Sequence, residues 1–346
     1  MERELITLGI ETSCDETAVA LLRGRADILA SVVASQNDLH EKYGGVVPEL
    51  ACRRHVETLP TLMREALSQA GIGKERIGLV AVTQGPGLVG ALLVGLSYAK
   101  AFAWARRLPL VPVNHIEGHL AAGFVARPDT PLPAVALIVS GGHSELFHIE
   151  RPGALVKLGS TRDDAAGEAY DKVARLLGLG YPGGPVMDRL AREGRAAYPL
   201  PVALHGADTL DFSFSGLKTA VKNLVRALEK EGAPLPVADI AASFQRAVVE
   251  ALIRKTRLAL ERVRPASLIV GGGVASNSAL RAAMETLGKQ MGVVVTVPPV
   301  GLCADNAVMI AASGAMRYFA DPANPAWRDF LSLDALPGWA VGETAG

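Results

Sequence analysis

One order of segments occurs twice along the chain, and it limits the folds that the sequence can adopt. A strand hairpin is predicted at residues 5–22 and again at 133–149, because apolar runs flank a polar turn in both places. Each hairpin is followed later by a strand, a glycine-rich turn and a helix, at 79–103 and at 267–287. This internal repeat predicts an α/β fold of two related lobes with a cleft between them.

The chain has 346 residues, which is long enough for two domains with separate cores. The predicted divisions are an N-terminal lobe at 1–132, a C-terminal lobe at 133–325 and a C-terminal tail at 326–346. An insertion at about 151–236 interrupts the second lobe. It is rich in turn formers, such as Tyr181 to Pro185, and contains predicted helices at Ala166–Leu177 and Gly216–Leu228.

The charge balance restricts the kinds of partner. With 35 basic and 35 acidic residues the net charge is zero, which argues against a protein that coats nucleic acid by charge alone. A local patch could still hold a nucleic acid. The candidates are residues 53–55 (Arg-Arg-His) and the group Lys218, Lys222 and Arg226, although an ordinary solvated face explains each of them better.

Cysteine usage and hydropathy indicate the compartment. The cysteines Cys14, Cys52 and Cys303 are odd in number and scattered, so neither a disulfide framework nor a cysteine zinc site is predicted. The most apolar stretch, 91–105, contains Lys100 and is shorter than the ~20 residues that span a bilayer. The first residues lack the form of a signal peptide. We therefore expect a cytoplasmic protein without a membrane partner.

Two histidines in residues 114–119 (NHIEGH) form the sharpest local pattern. His115 and His119 are four residues apart, so on a helix both imidazoles can reach one metal ion. A zinc protease helix has its catalytic Glu directly after the first His. Here that position is Ile116, and Glu117 is rotated by a further ~100° around the helix. The pattern therefore favours a metal site but weakens the protease interpretation.

A two-histidine site requires a third protein ligand and an open coordination position to be catalytic. Asp305 is a candidate, since it precedes an apolar helical run at 307–312. The same position would also suit a helix N-cap, which is a common role for Asp. The sequence leaves both roles open.

Glycine-rich turns follow strands at residues 85–87, 140–143 and 271–277. Glycine lets the backbone approach a phosphate or a ribose closely, and a following helix N-terminus favours an anion. Tight strand-to-helix connections explain each turn singly, but three in a repeated fold favour a nucleotide site. No P-loop or dinucleotide-binding glycine motif is present. Asp171 and Asp188 flank the 181–185 turn and could accept hydrogen bonds from a ribose or an amino group.

Six segments of the chain form a distinctive set of motifs, namely 9–17 (GIETSCDET), 43–50 (YGGVVPEL), 114–119 (NHIEGH), 139–143 (VSGGH), 211–218 (DFSFSGLK) and 271–277 (GGGVASN). Together these motifs resemble those of the bacterial TsaD family of tRNA N6-adenosine threonylcarbamoyltransferases. They occur in order from about Leu5 to Arg317, which is nearly the whole chain. The resemblance implies two actin-like (ASKHA, RNase H-like) lobes.

The resemblance also implies a reaction and a set of site residues. A threonylcarbamoyl group would move from threonylcarbamoyl-AMP to N6 of the adenosine just after the anticodon, in tRNAs that read codons beginning with A. His115, His119 and Asp305 would bind one divalent metal ion, Fe²⁺ with Zn²⁺ as the alternative. The substrate contacts would be Ile138, Val139, Ser140, Gly141, Gly142, Asp171, Gly184, Asp188 and Asn277.

Partners and a mechanism follow from the same resemblance. A TsaB-like actin-fold subunit and a TsaE-like ATPase would assist the chain, and a TsaC-type synthase would supply the intermediate. The metal would act as a Lewis acid while the adenosine amine attacks. Asp15 and Glu16 are candidates for taking the proton from that amine, because their turn should face the cleft.

Three other functions compete with this one. A metalloprotease (glycoprotease) would require a Glu base where Ile116 stands. An actin-like small-molecule kinase would suit the lobes and the glycine turns but has no use for the pair His115 and His119. A non-catalytic scaffold would have no reason to keep the metal residues.

Overall fold

The structure, a computed structural model, describes residues 2–151, 153–232 and 234–343. Its strands are β1 Ile6–Glu11, β2 Glu16–Arg23, β3 Asp27–Ser35, β4 Ile77–Gly85, β5 Leu110–Asn114, β6 Ala134–Val139, β7 Ser144–Arg151, β8 Ala154–Ser160, β9 Ser267–Gly271 and β10 Val294–Thr296. Its helices are α1 Asn37–Glu41, α2 Pro48–Ala70, α3 Val89–Arg106, α4 His115–Ala126, α5 Ala166–Leu176, α6 Gly183–Glu193, α7 Ser215–Lys230, α8 Val237–Val263, α9 Ser278–Met291, α10 Val300–Cys303 and α11 Ala307–Ala320.

The chain forms two compact units, one from Met1–Thr130 with Ala304–Gly346 and one from Pro131–Cys303. The first unit contains a five-stranded sheet in the order β3-β2-β1-β4-β5. β1 is antiparallel to β2 and parallel to β4. Every residue of β1 is buried, because α11 packs on this sheet and the apolar sides of α2 and α3 cover neighbouring strands.

The second unit repeats this topology. Its five-stranded sheet has the order β10-β9-β6-β7-β8, in which β6 is antiparallel to β7 and parallel to β9. Each strand of the second sheet therefore has a counterpart in the first. The pairs are β1 with β6, β2 with β7, β3 with β8, β4 with β9 and β5 with β10. The predicted hairpins and strand–turn–helix segments are confirmed. The sequence analysis missed β3 and β5 of the first sheet and their counterparts β8 and β10 of the second, which extend the repeat.

The segment after Cys303 differs from the prediction, which assigned residues up to 325 to the second lobe. The structure groups this segment from Ala304 onward with the first unit. The reason is packing: residues 307–315 of α11 are buried, and the helix packs against β1, β2 and β4. An apolar helix must bury its surface somewhere, and its sequence does not say against which sheet.

The predicted insertion at 151–236 contains more regular structure than expected. Its helices at 166–177 and 216–228 are confirmed as α5 and α7, with α7 two residues longer at its C-terminal end. Part of the predicted 181–185 turn is the first turn of α6, and the start of the insertion is the edge strand β8. Residues 152 and 233 of this predicted insertion lie outside the described residues.

The predicted C-terminal tail packs back on the first unit as far as the structure describes it. Trp327, Phe330 and Trp339 are buried. Asn114 donates to the Trp339 carbonyl at 3.1 Å and Gln84 donates to the Asp334 carbonyl at 2.8 Å. Residues 344–346 of the predicted tail lie outside the described residues. Among the described helices, none combines the length and the apolar character that crossing a bilayer requires.

Candidate functional site

The two predicted metal-binding histidines lie on the first turns of α4. Asn114 ends β5 and caps the helix, because its side-chain oxygen accepts from the backbone N–H of Ile116 at 2.9 Å. This cap fixes His115 as the first helical residue and places His119 one turn later on the same face. Both imidazoles are buried: His119 is fully covered and His115 keeps 6% of its surface.

Asp305 is not the N-cap of α11. That role belongs to Asn306, whose side-chain oxygen accepts from Met309 N at 3.0 Å. The Asp305 carboxylate instead faces the histidines, with Oδ1 3.4 Å from His115 Nε2 and 3.2 Å from His119 Nε2. The alternative that the sequence left open is thereby decided in favour of a carboxylate beside the histidine pair.

Small residues allow this approach. A Cβ on Gly9 would lie 2.2 Å from the Ala307 carbonyl oxygen, so only glycine in β1 lets the start of α11 come this close. Gly118 on α4 serves in the same way, because a Cβ there would lie 2.9 Å from Ile310 Cδ1 on α11. Asp305 directly precedes α11, and the two glycines therefore set its distance from α4.

The three side chains fit a metal ion. One potential ligand atom from each of His115, His119 and Asp305 lies within 4.8 Å of the other two. Although His119 Nε2 is close to Asp305, neither ring nitrogen of His119 makes a hydrogen bond of acceptable geometry to any described residue. A buried imidazole left in this state is costly unless something else binds it. Two imidazoles and one carboxylate suit Fe²⁺ or Zn²⁺ and leave further coordination positions open.

Glu11 supports His115 from the other side of the ring. His115 Nδ1 lies 2.9 Å from Glu11 Oε2, and since a carboxylate only accepts, Nδ1 is the donor. In the neutral imidazole the lone pair is then on Nε2, the atom that faces Asp305. Thr83 Oγ1 donates to the same Glu11 oxygen at 2.6 Å. Carboxylates that orient metal-binding histidines in this way are a common second layer of metal sites.

The electrostatics of this cluster are coupled. Burial alone would lower the pKa of His115, but the Asp305 and Glu11 carboxylates outweigh it and hold that pKa well above the ordinary value. Burial alone would raise the pKa of Asp305, but His115 and His119 keep it well below the usual range. Without a cation the site would thus bind a proton on His115, and a metal ion competes for the same place.

The sequence analysis missed Glu11 as a site residue. Its signal was present, since an ionisable residue ends a strand in which every other residue is apolar, small or hydroxylated. A carboxylate with only 1% of its surface exposed needs hydrogen-bond donors, which Thr83, His115 and the Ser13 backbone provide. Which donors these are depends on β4 and α4, which are distant in sequence.

The candidate proton acceptors Asp15 and Glu16 lie in the same unit, in and after the turn between β1 and β2. Asp15 keeps 8% of its surface exposed. Burial, together with the negative charges of Asp305 and Asp15, raises the pKa of Glu16 to about 9. His55 anchors this turn from α2, because its ring nitrogens lie 2.9 Å from the Cys14 carbonyl oxygen and 2.8 Å from Thr17 Oγ1. Of the sequence patch at 53–55, only the two arginines are therefore exposed, and His55 is buried.

The predicted substrate residues lie in the second unit, beginning at the end of β6. Ile138 and Val139 are fully buried, and Ile138 is paired with strands on both sides. The turn that follows is closed by hydrogen bonds from Ser140 N to the His143 carbonyl at 2.8 Å and from His143 N to Ser140 Oγ at 3.2 Å. Ile138 and Val139 thus shape the strand end, and Gly141 and Gly142 are the more exposed part of the segment.

Two groups of glycines in this unit differ in what a side chain would meet. At Gly167, Gly183 and Gly272 a Cβ would collide with neighbouring atoms. A Cβ on Gly167, for example, would lie 2.6 Å from the backbone carbonyl oxygen of Ser140. A second group has no positive φ and nothing within 4 Å of a built Cβ. Its members at the predicted site are Gly141, Gly142, Gly184 and Gly273. Neither packing nor backbone conformation explains glycine there, whereas close approach of a ligand would.

The polar side chains of this region are already hydrogen-bonded within the unit. Asp188 accepts from Ser278 Oγ at 2.8 Å and pairs with Arg192 at 2.9 Å. Asp171 accepts from Gly183 N at 2.8 Å, at the start of α6. Asn277 caps α9 through Leu280 N, and its amide group donates to Gln245 Oε1 at 2.6 Å. The side chains are held in place by these bonds, and their remaining lone pairs and donors are what a ligand could use.

Comparison with known proteins identifies the family. A sequence model of the family described as "TsaD: tRNA N6-adenosine threonylcarbamoyltransferase" matches residues 27–312. A protein of that name from Moorella thermoacetica is 50% identical over 344 residues, which cover 97% of this chain and 98% of that protein. The chain belongs to this family. A relative of the same name from Bacillus cereus is 48% identical over 339 residues, covering 98% of this chain and 97% of its own.

Solved structures agree on the fold. Component A of the (R)-2-hydroxyglutaryl-CoA dehydratase from Acidaminococcus fermentans superposes with a TM-score of 0.55 at 16% identity, covering 90% of this chain and 98% of that chain. HypF from T. kodakarensis gives a TM-score of 0.60 at 14% identity, covering 92% of this chain and 48% of that chain. At such low identities these matches show the actin-like fold alone, and they confirm the fold class that the family resemblance implied.

Proposed function

We propose that this chain transfers a threonylcarbamoyl group to N6 of the adenosine that follows the anticodon, in tRNAs that read codons beginning with A. The observation that carries the proposal is the full-length similarity to relatives named tRNA N6-adenosine threonylcarbamoyltransferase. The position of Asp305 beside His115 and His119 adds support, because the histidine motif at 114–119 does not itself contain this carboxylate.

The proposed donor is threonylcarbamoyl-AMP. The adenosine amine would attack the carbamoyl carbon, the bond from that carbon to the phosphate oxygen would break, and AMP would leave with the electron pair. The backbone amides of Gly141 and Gly142 are proposed to hold the phosphate, and those of 271–273 the adenosine moiety. The open space above Gly141, Gly142, Gly184 and Gly273 supports this assignment.

The metal ion is proposed to be Fe²⁺, bound by His115, His119 and Asp305, with Zn²⁺ as the alternative. When bound, it supplies Lewis acidity toward an oxygen of the donor. Glu11 would keep His115 Nδ1 protonated and so direct Nε2 to the site. Asp15 and Glu16, in and directly after the turn between β1 and β2, are the proposed candidates for taking the proton from the amine.

The competing functions are less well supported. A protease base would have to be Glu117, yet this residue is absent from the cluster of ligand atoms, and burial raises its pKa. A kinase or a scaffold offers no use for the buried, unsatisfied ring of His119. The named relatives also favour the transferase over each alternative.

Partners and compartment complete the proposal. We infer that a TsaB-like subunit and a TsaE-like ATPase assist the chain and that a TsaC-type synthase supplies threonylcarbamoyl-AMP. A tRNA substrate places the reaction in the cytoplasm. The chain has 35 basic and 35 acidic residues and no net charge, so unaided tRNA binding is expected to be weak.

The proposal is tested by transfer of labelled threonine into tRNA. The reaction contains the chain, a TsaC-type synthase, both partner proteins, ATP, bicarbonate and tRNA. Label is expected in tRNA with the unmodified chain and with His205→Ala, an exposed histidine of the second unit that serves as the control. His115→Ala and His119→Ala should lose it. If the unmodified chain transfers no label in the complete mixture, the assignment is wrong. If the unmodified chain transfers label and the histidine variants transfer as much, the metal role is wrong.

A further inference from the structure

Helix α7 (Ser215–Lys230) carries a row of cations that the proposed reaction does not use. Lys218, Lys222, Arg226 and Lys230 follow one another at intervals of four residues, and we name them the basic stripe. Each step advances about 6 Å along the helix and turns about 40° around it, so the stripe is roughly 18 Å long. The first member is half-buried and the other three are exposed.

The opposite side of α7 is apolar and explains the orientation of the stripe. Leu217, Val221 and Val225 are buried in the core of the second unit, where α7 packs on α5 and α8. The beginning of α7 is fixed by Asp163, which accepts from the backbone N–H of Phe214 at 2.8 Å and of Ser215 at 3.1 Å. The cations therefore project from a helix that is held at its start and along one face.

The basic stripe lacks acidic partners within the unit. In residues 153–232 and 234–343, no member of the stripe forms an ion pair. Neighbouring cations of the same unit behave differently: Arg162 pairs with Asp211 at 2.9 Å, and Lys172 pairs with Asp164 at 2.6 Å. A chain with zero net charge thus neutralises nearby cations but leaves one row of four unneutralised.

A regular row of unpaired cations is complementary to a regular row of phosphates. The sugar–phosphate backbone of a nucleic acid offers such a row, and contacts to it position the molecule without reading its sequence. An isolated anion would need only one or two of the cations. The stripe also belongs to the unit that carries the proposed substrate turns, and α7 packs on α5, the helix of Asp171.

We propose that the basic stripe binds the sugar–phosphate backbone of the tRNA substrate and positions it for modification. This inference rests on the proposed function, which supplies the tRNA. It adds a surface to that function, and the surface contributes to tRNA binding rather than to the chemical step. The stripe variants should therefore alter KM for tRNA and leave kcat at saturating tRNA nearly unchanged.

The test removes three exposed cations of the stripe in the full chain, as the combined variant Lys222→Gln, Arg226→Gln and Lys230→Gln. Glutamine keeps helix propensity, so α7 should remain folded, which circular dichroism checks. The matched control is Arg151→Gln, Arg195→Gln and Lys289→Gln. These three cations are exposed, lie in the same unit and form no ion pair among the described residues, so the net charge changes equally.

tRNA binding is measured by filter retention across a salt series, and transfer is measured in the complete reaction. At low salt the stripe variant should bind tRNA roughly tenfold to a hundredfold more weakly, and its log–log salt slope should fall by about 2 to 3. The control should bind within about twofold of the unmodified chain. A double reversal, Lys222→Glu with Arg226→Glu, should weaken binding further.

Three results would overturn the stripe proposal. These are unchanged binding and salt slope in the stripe variant, an equal loss in the control, and a fall in kcat without any change in KM. Failure of the proposed function is distinguishable, because it would abolish transfer by the unmodified chain while the direct binding measurement still reports on the stripe. Binding of an acidic protein instead of tRNA by the same residues would likewise contradict it.

Discussion

The metal cluster of the first unit and the glycine turns of the second are built on opposite principles. Glu11 and His115 are buried, Asp305 is partly buried, and the pKa values of these three groups depend on one another, while His119 is fully buried beside them. Gly141, Gly142, Gly184 and Gly273 contribute backbone and empty space, and the polar residues around them are already hydrogen-bonded. The first region is proposed to bind a metal ion with ionisable side chains, and the second is proposed to bind a substrate with backbone groups and open space.

The difference predicts how each region fails when it is altered. Removing a side chain from the metal cluster leaves buried charge without compensation, so both binding and stability should respond. Adding a side chain to the open glycines should leave folding intact but obstruct a ligand. The predictions below test this contrast, in order of decreasing expected effect.

The largest effect is expected from loss of a proposed metal ligand. Asp305→Asn keeps the shape of the side chain but removes the charge that the two imidazoles and a divalent cation require. We expect metal content after dialysis and threonylcarbamoyl transfer to fall together, by more than about 100-fold. Metal analysis and the labelled-threonine assay measure these two quantities. Full activity in a metal-free Asp305→Asn protein would contradict the proposal that the first region works through ionisable side chains that bind a metal ion.

The next effect concerns Glu11, which touches His115 and not the proposed ion. Glu11→Gln can still accept from His115 Nδ1 but no longer supplies a negative charge. Metal affinity should fall by about 10- to 100-fold, as is usual for groups behind a metal ligand. Chelator competition measures the affinity, and excess metal should restore transfer. The matched comparison is Thr83→Val, which removes one donor to Glu11 and should act in the same direction but more weakly.

A pair of glycine substitutions tests the second region. Gly184→Ala should raise the KM for threonylcarbamoyl-AMP by roughly tenfold while the melting temperature stays unchanged, because a Cβ there meets no protein atom. Gly167→Ala should instead lower the free energy of unfolding by about 1–3 kcal/mol, since its Cβ would lie 2.6 Å from the Ser140 oxygen. Denaturant unfolding and steady-state kinetics separate the two outcomes. A loss of stability in both variants would mean that packing within the protein, and not the approach of a ligand, explains why residue 184 is glycine.

The smallest effect is expected at Asp163, where the second unit does use a charge. Burial raises the pKa of this carboxyl, but hydrogen bonds from Ser213, Phe214 and Ser215 outweigh it and hold the pKa below the ordinary value. A lowered folded-state pKa contributes stability above the unfolded pKa of about 3.9, and this contribution is lost as the pH falls through the folded value.

Asp163→Asn should therefore lower the free energy of unfolding by about 1 kcal/mol at pH 7, as expected for weakening a helix cap. The difference from the unmodified chain should shrink as the pH falls below about 4. Urea unfolding across a pH series measures it. A difference that is constant with pH would show that the carboxylate charge has no part in anchoring α7, and that this region relies on neutral hydrogen bonds throughout.

Local patterns in the sequence determined much of the fold. Both hairpins, both strand–turn–helix segments and helices α5 and α7 were predicted, because apolar periodicity and turn residues act over short distances. The i, i+4 spacing of His115 and His119 likewise fixed their common helix face. The edge strands β3 and β8 were missed, since their exposed, mixed sequences lack a strong period. The edge strands β5 and β10 were also missed, because runs of five and three residues are too short to show one.

What only the tertiary structure decided were the relations between distant segments. Asp305 could cap a helix or face the histidines, and the answer depended on Asn306 taking the cap and on Gly9 admitting α11 to the sheet. α11 joined the first unit because an apolar helix packs where a complementary sheet surface exists. Glu11 gained its role from the strands and the helix around it. A sequence specifies such side chains, but the free energy of their contacts depends on three-dimensional neighbours that no local pattern contains.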